Sequence, residues 1–275
     1  MDEVFSPLRV AVLTSHGAPG LDKLIAHSNR GALYDLVAVV GTETALADAA
    51  SLEAAQIPLI LRPFRRYMSD RNLPLRNLRA REEYDSETAD LLHHFRVDYV
   101  FLVGYNYIVS EPLVESFSKR LLAVHDGDLM LRDENGRRRY AGLHAVREAV
   151  LAGEAETRSS AYFITQEVGA GPLCLLSKPY HIAQLARDAR DWGAADLVCE
   201  YADIHRRWMV RHSWGEMLVR AIECLAAGSV SVVRDMAWID GVPGPCRMGE
   251  APALCRERVQ SIDSGIPASC PLIRD

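Results

Sequence analysis

Four short apolar runs, each closed by a glycine or a polar turn, constrain this chain more than any other feature. LRVAVLT at 8–14 runs into Ser15-His16-Gly17, and YDLVAVV at 34–40 is closed by Gly41. DYVFLV at 98–103 is closed by Gly104, and LLAVH at 121–125 ends on a histidine. Runs whose centres are continuously apolar, rather than alternating, predict strands buried on both faces, the condition of parallel sheets flanked by helices. With helices predicted over 21–27 and 45–55 and a third short strand over 58–61, the order is strand, helix, strand, helix, strand. That order predicts an α/β fold with a doubly wound, mostly parallel sheet and right-handed crossovers. In such sheets reactive groups collect beyond the carboxyl ends of neighbouring strands.

The rest of the chain decorates this frame. Segment 61–81 breaks the rhythm with arginines at 62, 65, 66, 71, 76, 79 and 81 and prolines at 63 and 74. It reads as a basic insertion, either a solvated excursion or an anion-binding lid. An amphipathic helix follows over 81–95, and Ser110-Glu111-Pro112 fits a helix start. Asn135-Gly136 makes 129–140 a polar hairpin insertion. A helix over 143–152 stops at Gly153. An antiparallel pair is expected over 159–165 and 173–179, around Gly169-Ala170-Gly171. Added helices are expected over 182–191 and 195–227, the second interrupted near His212, with a last hairpin in SVSVVRDMAWIDG. One α/β domain over 1–241 and an extension over 242–275 account for the chain. A homodimer is one expectation, with the helices after 179 available to cover its face.

A net charge of -6 argues against nucleic acid as a partner, because that affinity comes chiefly from Lys and Arg on phosphates. The first ten residues carry early acids and lack an apolar core, so no signal peptide is read there. No apolar run reaches the length of a membrane span, and a cytoplasmic protein is expected. Six cysteines, at 174, 199, 224, 246, 255 and 270, include no C-x-x-C pair. They are expected to be reduced packing residues; the last three fit no compact zinc knuckle, and no metal is assigned.

The stretch 121–172 carries the chemistry. LLAVHDGDLM ends a strand on His125, Gly142-Leu143-His144 opens a helix, and a Gly-rich turn ends in Gly171-Pro172. This layout resembles the folate-dependent formyltransferases, the family of glycinamide ribonucleotide formyltransferase, which show Asn-x-His, Gly-Leu-His and Leu-Asp-x-Gly-Pro there. VLTSHGAPGLDKLI, REEYD, DYVFLVGYNYIVS and MAWIDG resemble further family patches in the same order, over most of 8–241. The resemblance implies a Rossmann-like formyltransferase fold and N10-formyltetrahydrofolate as co-substrate. It implies a small-molecule amine as acceptor. The folate would be held by the strand exit Tyr105, Asn106, Tyr107, Ile108 and Val109 and by Val168, Gly169, Ala170 and Gly171 opposite. Ser15, Gly17 and Gly20 stand where the family binds the substrate phosphate.

Two positions depart from the family. Ala123 replaces its asparagine and Gly169 its aspartate, and loss of one oxyanion donor alone costs about 10²–10³ in rate. Formyl transfer by the family's own mechanism therefore needs replacements. His125 survives as the catalytic candidate. Asp126 and Asp128 follow it, and Gly127 permits a turn returning Asp128 to the imidazole; the alternative is that both acids make local turn bonds. His144 is the third catalytic candidate, against a packed or exposed helical histidine. Pro19 lacks an N–H, which weakens the phosphate loop and widens the choice of acceptor amine. Three functions stay open: a formyltransferase with altered activity, a degenerate folate- or nucleotide-binding regulator, and a formyl-folate hydrolase.

Overall fold

The apolar runs are the centre of one sheet. In the computed structural model, which describes residues 6–249, β1 (Leu8–Thr14), β2 (Tyr34–Gly41), β3 (Leu59–Leu61), β4 (Tyr99–Leu102) and β5 (Leu121–His125) pair in parallel. Their order is β3-β2-β1-β4-β5, so the winding reverses between β1 and β4. Two short strands, β6 (Glu156–Thr157) and β9 (Tyr180–His181), pair with each other outside this sheet. Beyond β5 the sheet continues with antiparallel β7 (Ser160–Phe163) and β8 (Leu173–Leu176). The fold class expected from the sequence is the one observed.

Both faces are covered, which is why the strand centres are apolar on both sides while Arg9, Asp35 and His125 sit towards strand ends. On one face Val10, Val12, Phe101, Leu122 and Val124 pack on α1 (Leu21–Ala26) and on α8 (Ala195–Ala226) through Trp214, Met217, Leu218 and Ile222. On the other face the alternate residues Ala11, Leu13, Val100, Leu102, Leu121 and Ala123 meet α4 (Leu78–His94) and α5 (Glu111–Ser116). The remaining helices are α2 (Ala49–Ala54), α3 (Phe64–Ser69), α6 (Ala145–Ala152) and α7 (Gln184–Asp191).

Several local expectations are revised. α8 runs unbroken through His212, whose Nδ1 lies 2.8 Å from the Trp208 carbonyl one turn back, on an exposed face where nothing forces a kink. The basic segment contains α3, which packs Phe64 and Met68 with the buried Tyr84. Its arginines are largely partnered at home: Arg62 with Glu87 at 2.5 Å, Arg66 with Asp70 at 3.5 Å, and the buried Arg81 with Asp85 at 3.1 Å. α6 begins at Ala145, which leaves Gly142 and Leu143 in a loop. The hairpin expected in SVSVVRDMAWIDG forms as β10 (Val230–Val233) and β11 (Met236–Ile239), and β12 (Val242–Pro243) extends it. β13 (Cys246–Arg247) then joins the main sheet beside β8, so the start of the extension belongs to the fold. Residues 1–5 and 250–275, with Cys255 and Cys270, lie outside the described residues.

Candidate active site

A cavity of about 480 Å³ opens beyond the carboxyl ends of β4 and β5. Its floor follows from strand register: Leu102, Ala123 and Tyr162 are neighbours across β4, β5 and β7. All three point to the same sheet face, and Ala123 supplies the shortest side chain there. The walls are the exit segment Tyr105–Val109, the loop Ala141–Leu143, and Thr165, Val168 and Gly169 opposite. The size lies within the range of small-molecule sites. The lining is apolar except for a few polar ends, among them His125 and Asn106.

The exit segment is held rigidly. The Asn106 amide donates to the Ser15 hydroxyl at 2.9 Å, and the Tyr105 hydroxyl accepts from Arg81 at 2.8 Å. Tyr107 packs edge-on against Phe64 and donates to Glu43 at 3.3 Å. Both tyrosines therefore line the cavity while being packed behind it. Burial pushes the Tyr105 phenol up to about 12, so it stays protonated. The Asn106 carboxamide has no hydrogen bond among the described residues and is exposed in the cavity wall.

His125 stands at the end of β5 with its ring partly exposed. Its Nε2 lies 2.9 Å from the Tyr140 carbonyl. A carbonyl only accepts, so Nε2 carries the hydrogen and Nδ1 is left to exchange a proton. The carboxylate beside Nδ1 is that of Asp126, at 3.7 Å, and Asp126 is itself buried against Arg206 of α8. Asp128 turns elsewhere: it accepts from the Met130 amide at 2.9 Å and faces Arg158 at 3.7 Å. Burial raises its pKa above the usual carboxylate value. His144 is the exposed residue preceding α6 and is not among the residues lining the cavity.

Across the cavity, the glycine-rich turn is tied down by the polar insertion. Arg138 donates to the carbonyls of Gly169, at 2.5 Å, and Gly171, at 2.6 Å. Val168 and Gly169 line the cavity, whereas Ala170 and Gly171 line an adjacent open groove of about 750 Å³ with Glu115 and Lys119. Gly171 is obligatory, because a Cβ there would stand 1.8 Å from the Phe163 carbonyl oxygen.

The loop after β1 is already occupied by the protein's own groups. Ser15 is fully buried, its hydroxyl engaged by Thr42 at 3.0 Å as well as by Asn106. The Ala18 amide donates to the Asp48 carboxylate at 2.9 Å, beside Gly17. Gly20, at φ +87°, abuts Gly215 of α8, where an added Cβ would come within 2.4 Å of backbone. An internal carboxylate thus takes an amide that an external anion would need.

The structure brings together His125, Tyr105–Val109, Val168 and Gly169, and leaves Ser15, Gly17, Gly20, Asp128 and His144 off the cavity wall. Asp48, Arg138 and the Tyr140 carbonyl were not foreseen. An aspartate thirty residues from its amide and a main-chain acceptor leave no local pattern, whereas Arg138 was visible only as one of three consecutive arginines in a polar loop.

A formyl transferase family model matches residues 8–189. Phosphoribosylglycinamide formyltransferase of Escherichia coli is 28% identical over 162 residues, which cover 59% of this chain and 65% of that protein. The trifunctional purine biosynthetic protein adenosine-3 of Drosophila melanogaster is 29% identical over 168 residues, 60% of this chain and 11% of that protein. The aligned part is thus less than two thirds of the length of each of these relatives. Phosphoribosylglycinamide formyltransferase from Coxiella burnetii superposes with a TM-score of 0.63 at 20% identity, covering 86% of this chain and 96% of the other. A formyltetrahydrofolate deformylase from Burkholderia mallei superposes at 0.62 and 15% identity, covering 86% and 71%. At these identities the superpositions speak to fold.

Proposed function

This chain belongs to the formyl transferase family, and on that premise we propose that it binds N10-formyltetrahydrofolate in the 480 Å³ cavity and passes its formyl group to an unphosphorylated amine. The observation that carries the reading is the placement of His125 at the edge of a largely apolar cavity walled by the Tyr105–Val109 exit. Flat heterocycles are recognised through such exposed main-chain groups between apolar walls. Bound there, the folate supplies the formyl carbon.

The protein's own groups do the rest. As the amine forms its bond to the formyl carbon and the bond to the folate nitrogen breaks, His125 takes up the amine's proton on Nδ1 and returns it to the departing nitrogen. The Asp126 carboxylate stabilises the imidazolium in between. Asn106 is the carboxamide available to donate to the oxygen that gains charge, in place of the amide missing at Ala123. Asp48 on the Ala18 amide disfavours a phosphate beside it, which supports an acceptor without one.

Titration with N10-formyltetrahydrofolate, with and without simple amines, tests this. Saturable binding and amine-dependent loss of the formyl group are expected, with His125→Ala retaining binding and losing about 10²–10⁴ in turnover. Absence of folate binding would overturn the reading. The second reading, a folate-binding protein without transfer, is favoured by one feature, the apolar floor Leu102–Ala123–Tyr162. Tight binding with no turnover for any amine would select it.

A further inference from the structure

The outer face of α8 carries an apolar stripe that no described residue covers. Leu197, Ile204 and Trp208 lie on one side of the helix, at 41%, 52% and 47% exposure. Their spacing of seven and four residues keeps them in line along three turns. α8 has 32 residues, and the stripe from Leu197 to Trp208 runs for about 18 Å along it.

The charges around the stripe are sorted. Asp196 and Glu200 lie at its amino-terminal end, and Arg207 and Arg211 at its carboxyl-terminal end, all four exposed. Each pair is like-charged at a spacing of four, an arrangement that destabilises an isolated helix. The helix dipole favours Asp196 in the first turn of α8 but offers nothing to Glu200 or to two arginines in mid-helix. Elsewhere on α8 the charges find partners within the chain: Asp203 with Arg147, Arg206 with Asp126, and Glu216 with Lys23. Among the described residues, Asp196, Glu200, Arg207 and Arg211 have none.

We propose that this face binds a second copy of the same chain, two α8 helices packing antiparallel about a twofold axis near Ile204. The register is set by the charges themselves. An alignment that puts Glu200 opposite Arg207 of the second copy also puts Asp196 opposite Arg211, and the symmetry repeats both pairs. Ile204 then meets its counterpart at the axis, and each Trp208 falls against the 197–200 turn of the other copy. Such a patch is complementary to itself, as a closed dimer requires. It is apolar at the centre and charged at the rim.

Sedimentation velocity of the full chain, from low to high micromolar, tests it. The wild type is expected to dimerise, more weakly as salt rises. Glu200→Arg sets like charges together at both symmetric sites and is expected to raise the dimer dissociation constant about 100-fold or more. Glu200→Arg combined with Arg207→Glu restores the opposition and is expected to recover most of the affinity. Ile204→Asp is expected to give a monomer with an unchanged melting temperature at dilute concentration. A wild type that stays monomeric throughout overturns the proposal. So does a dimer indifferent to both Glu200→Arg and Ile204→Asp, or a double variant no tighter than the single.

Discussion

The imidazole of His125 and the carbonyl of Tyr140 meet at 2.9 Å because residue 127 has no side chain. A Cβ on Gly127 would stand 2.3 Å from that carbonyl oxygen and 2.9 Å from the Ala145 methyl. Gly127→Ala must therefore move the acceptor that fixes the histidine tautomer. We expect a stability loss of about 1–3 kcal/mol, the usual cost of overpacking. Turnover should fall while folate affinity changes little, since the exit segment is untouched. Thermal melts with parallel binding and rate measurements check this; unaltered turnover would detach the Tyr140 contact from function.

Among the described residues, Asn106 is the one free carboxamide in the cavity wall, with its backbone fixed on Ser15 and its side chain unengaged. If it donates to the developing oxygen charge, Asn106→Ala should cost about 10²–10³ in turnover with little change in folate affinity. Because the side chain is exposed, the melting temperature should stay within error of wild type. Equal turnover in the two proteins would remove Asn106 from the mechanism.

Asp48→Ala releases the Ala18 amide. A hydrogen bond to a charged group contributes about 1.5–3 kcal/mol, so a loss in that range or below is expected. The freed amide, next to Gly17, should let inorganic phosphate protect the variant against heat when it does not protect wild type. Calorimetric scans with and without phosphate decide it. Protection of both proteins alike would show that the carboxylate was not blocking an anion.

The sheet was legible because its signal is local: each strand buried on both faces reads as a run with a continuously apolar centre, and His125 ends one of them. The cavity wall at 105–109 was legible for the same reason, as the residues directly after a strand. What escaped depends on distant parts of the chain. Gly20 looked like a phosphate-loop glycine, yet its lack of a side chain serves the close approach of Gly215. Asp128 looked able to reach back to the imidazole, but the extended end of β5 leaves Asp126 beside it instead, backed by an arginine eighty residues away. His212 looked like a helix interruption because nothing in its neighbours shows that the Trp208 carbonyl meets it within the helix.

His205 gives the clearest pH signature. It is buried on α8, with Nε2 at 2.8 Å from the Thr157 hydroxyl and Nδ1 at 3.2 Å from the Tyr201 hydroxyl. Burial holds its pKa below the ordinary value of 6.5, so the folded protein favours the neutral ring. The unfolded chain then binds the proton first on acidification. The histidine's contribution to stability is therefore complete above pH 6.5 and is lost as pH falls from there towards the lower folded value. His205→Gln cannot titrate and gives up part of this hydrogen bonding, so at neutral pH it should be less stable by about 1 kcal/mol. Below pH 6.5 the two stability curves should converge, as wild type loses what the variant never had. Denaturant titrations of both proteins across the acid range measure that gap directly, and parallel curves would mean the imidazole is protonated as readily inside the fold as outside it.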